Sequence, residues 1–119
     1  MPLRSAAAYW ELQRTALSRV ESAIARHQAG RIDEAAGLFF EAAVDFSDAQ
    51  FEFGQAARRT GKPWARGLHA ANGTLSDLMY RIGAALRLGN PIAHIVDEAN
   101  PVLDQLEDHL SQMMGDLGS

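Results

Sequence analysis

The sequence predicts an all-α protein, a small helical bundle of three to five helices, and three observations carry that reading. Apolar residues recur at three- and four-residue spacings through nearly every segment. Gly, Pro and Asn gather in a few short clusters that cut the chain into helix-sized lengths. All five phenylalanines fall between Phe39 and Phe53, inside one long amphipathic stretch that the other segments must cover. The expected helices span about 5–29, 32–60, 63–88 with a break near 72–74, 91–99 and 101–114, in a single domain over residues 1–119.

The first helix starts at Ser5, an N-cap residue type, and ends before Gly30, suited to the left-handed position beyond a helix end. Its apolar face is Tyr9, Leu12, Ala16, Leu17, Val20, Ala23, Ile24 and His27. The histidine reads as a half-buried core residue rather than a ligand. The second helix opens with Asp33 and Glu34 and closes with Arg58, Arg59 and Gly61, charges that suit the dipole at each end. Gly37 and Gly54 lie inside it; each costs about 1 kcal/mol relative to alanine and so implies close approach of a neighbouring backbone.

On a helical wheel Ala35, Phe39, Ala42, Ala43, Phe46, Phe53 and Ala57 form a wide apolar face opposite Glu34, Glu41, Asp45, Asp48 and Glu52. A second strip of Phe40, Val44 and Phe51 widens the apolar arc to roughly two thirds of the circumference, beyond the ~100° stripe of a one-sided helix. The excess must be covered by further helices of this chain or by another chain.

The stretch from Ala29 to Ala36, followed by Leu38, Phe39 and Ala42, resembles the turn and second helix of a tetratricopeptide repeat. No copy recurs about 34 residues on, and the flanking helices are nearly twice as long as that family's. The segment therefore reads as an ordinary helical hairpin.

Pro63, acceptable in a first turn, opens the third segment. Asn72-Gly73 marks the expected break, and Thr74 with Asp77 resembles a capping box ahead of Leu75, Leu78, Met79, Ile82, Ala85 and Leu86. Two Asn-Pro pairs, at 90–91 and 100–101, predict two short terminal helices, a single kinked helix being the alternative. Residues 115–119 are expected to fray.

Charge alternates along the chain. Residues 1–30 hold four arginines against two acids, 31–61 three against six, 62–89 four basic residues against one acid, and 90–119 six acids with no Lys or Arg. Exposed pairs between such neighbours contribute ~0–1 kcal/mol each. Cysteine is absent, so disulfides, thiolate zinc sites and a cysteine nucleophile are excluded. The first residues lack the apolar core of a signal peptide and no run approaches the ~18 residues of a membrane span, so a cytoplasmic location without membrane attachment is expected. Ten arginines to one lysine suit a bacterial source.

No chemical motif survives inspection. A carboxylate di-metal bundle needs Glu three residues before His; here those positions are Ile24, Arg66, Pro91 and Leu106. His94, Asp97 and Glu98 are too few and too generic to argue a metal site, and no cofactor is expected. Gly54 to Pro63 has the wrong spacing, and a proline in place of Ser or Thr, for a phosphate-binding loop. A nucleophile elbow is missing. The basic residues of the third segment scatter around their helix, which argues against direct nucleic-acid binding; an acidic terminal helix imitating nucleic acid is a minor alternative.

The sequence thus points to a non-enzymatic regulatory or adaptor protein, such as an inhibitor or anti-activator, that binds a protein partner and forms a homodimer. The candidate contact residues are Phe40, Val44 and Phe51, with Trp10 and Trp64 as aromatic anchors. The rivals are a homodimer with no other partner and a small helical enzyme using His94 or His109.

Overall fold

The computed structural model describes residues 3–118 as an up-down-up-down bundle of four helices: α1 (Ala6–Gln28), α2 (Ile32–Thr60), α3 (Pro63–Leu88) and α4 (Ala93–Leu117). Cross-helix pairs fix the antiparallel order. Arg4 meets Glu52 and Arg26 meets Glu34 between α1 and α2; Gln50 meets His69 and Ala43 meets Ser76 between α2 and α3; Trp64 meets Asp116 and Arg81 meets Glu98 between α3 and α4. The alternating charge of the segments is used in these contacts: Arg4, Arg19, Arg26, Lys62 and Arg81, of α1 or α3 or their N-terminal flanks, pair with acids of α2 or α4.

The helix ends are those the residue types call for. The Ser5 hydroxyl accepts the Ala8 N–H at 3.1 Å. Gly30 and Gly89 take positive φ, and the following residues donate back, Arg31 N–H to the Arg26 carbonyl and Asn90 N–H to the Ala85 carbonyl. The α1/α2 and α3/α4 hairpins thus close with the paired bonds of a Schellman motif, and orphan carbonyls of the last turns are satisfied.

The core is built around α2. Phe46 and Phe53 are fully buried against Leu68, Leu75, Met79 and Ile82 of α3 and Leu106 and Met113 of α4. Six alanines of α2 are buried, and without bulk beyond Cβ they let α1 and α3 lie close along it. Gly83 serves the same contact: a Cβ there would sit 3.1 Å from the Ala36 carbonyl. Across the centre, α1 and α3 are joined by a buried amide pair. Gln13 Nε2 donates to Asn72 Oδ1 at 2.8 Å, and Asn72 Nδ2 donates to Gln13 Oε1 and to the Leu68 carbonyl.

Several sequence expectations are corrected. The break near 72–74 does not exist: α3 is continuous because Asn72, a turn-forming type, is buried with its amide fully engaged, and the Thr74 hydroxyl bonds the Ala70 carbonyl one turn back instead of capping. The expected helices 91–99 and 101–114 are one helix starting at Ala93, with Pro101 inside it. A proline removes one ladder bond and costs about 3 kcal/mol, which the burial of Ile95, Ala99 and Leu106 on either side of it offsets. α4 is helical to Leu117, with Gly118 at positive φ; Ser119, within the stretch expected to fray, lies outside the described residues. Gly37 faces open space rather than a close neighbour, whereas at Gly54 a Cβ would lie 2.9 Å from His69 Nδ1, so only the second glycine answers to close packing.

Candidate partner-binding surface

The residues of the second strip occupy the outward line of α2. On one side of that line Glu41, Asp45 and Glu52 turn to Arg19 and Arg4 of the α1 segment; on the other Ala36, Ala43, Gln50 and Gly54 turn to α3. Side coverage is therefore complete, and the strip between is left to solvent. Val44 and Phe51 are 60 % and 58 % exposed.

Phe40 is half-buried. Its ring meets Tyr80 edge-on at 5.3 Å and lies over Gly83, and the Arg87 guanidinium stands 4.9 Å from its centroid. It forms the floor of a shallow α2/α3 groove bordered by Val44, Ser47, Gln50, Ser76, Asp77 and Tyr80. Phe51 borders a different depression, shared with Leu3, Tyr9, Gln55 and Arg59 at the start of α1. The strip is one line about 16 Å long from Phe40 to Phe51 that serves two adjoining hollows.

Two exposed apolar residues of α3 were not foreseen. Tyr80, 59 % exposed, borders the groove, whereas Leu88, 74 % exposed, lies further round α3 at a hollow shared with the start of α4. The signal available was phase: neither belongs to the face of Leu75, Leu78, Met79 and Ile82, so an apolar residue there had no core position to fill.

The two tryptophans do not join this surface. Trp64 is buried and is no anchor: its ring packs edge-on to Tyr9 at 6.2 Å and its Nε1 donates to Asp116 at 2.8 Å. That bond, followed by one from Lys62, holds the Asp116 carboxyl below its ordinary range. Trp10 is half-buried and packs against the core from the edge of α1.

The histidines of α4 do not combine. His94 is exposed beside Arg81, Leu88 and Ile95. His109 stacks on the backbone of Gly67 with a buried Nδ1 that has no hydrogen-bond partner. Fifteen residues of helix put the two about 22 Å apart. Glu98 is engaged by Arg81 at 3.0 Å. Among the described residues no group of three or more His, Asp or Glu side chains could hold a metal ion, and no helix is long and apolar enough to cross a membrane. Comparison with protein-family models, curated proteins and solved structures finds no match.

Proposed function

We propose that this chain is a non-enzymatic regulatory or adaptor module, of the inhibitor or anti-activator kind, that binds a protein partner through the outward face of α2 and α3. The observation that supports it is the exposure of Val44, Phe51 and Tyr80 on the outward side of two helices whose opposite faces are packed in the core. Large apolar side chains held rigid on a helix face lose little entropy on binding, and aromatic ones supply most hot-spot energy. Polar and charged neighbours, Ser47, Gln50, Asp77 and Arg87, surround the apolar line as a rim. An inhibitor of this type needs a shaped surface and no reacting groups. A homodimer formed through the same face is the other reading, in keeping with an apolar surplus on so short a chain.

The test pairs association with stability. Val44→Arg with Phe51→Ser touches only exposed positions, so the melting temperature should stay within a few degrees of wild type while self-association and partner capture are lost. Phe46→Ala, at a fully buried position, serves as the core control and should cost ~3–5 kcal/mol. Light scattering after size exclusion reads the oligomer against a protomer mass of 12.9 kDa, and pull-down from the native host reads the partner. Partner capture undiminished in the double variant refutes the α2/α3 face; a wild-type monomer at all concentrations refutes the dimer alone.

A further inference from the structure

A second apolar hollow lies on the opposite side of the bundle and is independent of the partner-binding reading. The α1 and α4 helices barely touch, and between the C-terminal half of one and the N-terminal half of the other a cleft of about 270 Å³ opens onto the core. Its floor includes Phe39 and Ile82; its walls include Ile24 and Val96, which are 44 % and 36 % exposed. No Asp, Glu, Lys or Arg lines it, and the polar lining consists of His27, Gln28 and Asn100.

We propose that this cleft binds a small, uncharged, mainly apolar molecule carrying at most one hydrogen-bonding group. Three properties select that class. With no Asp, Glu, Lys or Arg in the lining, an ionised ligand finds no carboxylate, ammonium or guanidinium to offset its lost hydration, which costs several kcal/mol per ion. The volume exceeds the roughly 150 Å³ of an apolar cavity that stays dry and takes up benzene, so a one- or two-ring compound or a short aliphatic chain fits. A docking helix, about 10 Å across with its side chains, is too wide to enter and could insert only single side chains. His27, Gln28 and Asn100 can serve one polar group of the ligand, the usual division of labour in small-molecule pockets.

The walls can also yield to an entering molecule. Pro101 follows Asn100 directly and offers no N–H to the Asp97 carbonyl. The turn of α4 that carries Val96 and Asn100 is thus tied to the rest of its helix by one bond fewer than usual.

The neutral fluorophore N-phenyl-naphthylamine, titrated into the full chain, should bind saturably with one molecule per chain, and its anionic relative anilinonaphthalene sulfonate about tenfold more weakly or worse. Val96→Trp fills the mouth from α4 and Ile24→Trp fills it from α1; each should weaken the neutral probe about tenfold or more while leaving the melting temperature unchanged. The probe should raise the melting temperature of wild type but not of these variants. Two positions on different helices keep the test decisive if one variant folds poorly. Binding that survives both substitutions, equal binding of the anion, or loss of binding in Val44→Arg with Phe51→Ser instead overturns the proposal. So does a wild-type dimer that Val96→Trp dissociates, because a second copy would then fill the cleft.

Discussion

Replacing Asn72 with leucine should destabilise the bundle through the Gln13 amide, which meets it in the core from another helix. Gln13 and Asn72 are both fully buried and exchange two hydrogen bonds of 2.8 and 3.0 Å, with a third from Asn72 to the Leu68 carbonyl. Leucine in place of Asn72 strands the Gln13 amide oxygen and one of its N–H groups without water. Each orphan costs about 1–3 kcal/mol, and the extra apolar burial returns part of it, leaving a net loss of ~2–4 kcal/mol. Gln13→Leu strands the Asn72 side in the same way. The double variant strands neither, so it should come within ~1 kcal/mol of wild type or exceed it. Urea unfolding followed by circular dichroism on all four members of the cycle measures this directly. Additive single losses in the double variant, or single losses under ~1 kcal/mol, would refute the account of a mutually satisfied pair.

Two glycines of similar helical setting should respond with opposite tendencies. Gly37→Ala enters open space and should gain ~0.5–1 kcal/mol by propensity, whereas Gly83→Ala, whose Cβ meets the Ala36 carbonyl and the Phe40 ring at 3.1 Å, should fall ~1–3 kcal/mol below it; paired thermal melts decide. Asp116 gives the pH dependence. Because the bonds from Trp64 and Lys62 lower its folded pKa, its contribution is complete above the ordinary unfolded value near 3.9 and is lost as pH falls through the lower folded one. Wild type should therefore lose more stability on acidification than Asp116→Asn, with the change visible in Trp64 fluorescence; identical acid profiles would remove Asp116 from the account.

Helix identity, helix ends and the core face of α2 were legible in the residues alone, because a 3.6-residue period and the conformational needs of Ser5, Gly30, Gly61 and Gly89 are local physics. The strip of Phe40, Val44 and Phe51 was legible only as a surplus of apolar arc. That Val44 and Phe51 stay exposed while Phe40 is half-covered depended on where α1 and α3 came to rest, and Tyr80 lies beside them for the same reason. Interruptions were decided by tertiary structure. Asn72 reads as a break until Gln13, 59 residues away, supplies its partner, and Asn100-Pro101 reads as a boundary until burial on both sides outweighs one missing bond. Trp64 reads as a surface anchor until Asp116, 52 residues on, accepts its N–H and lets it be buried. A local pattern records what a residue prefers when its surroundings are water; which polar groups meet across the bundle, and which apolar face meets nothing, exists only once the four helices are packed.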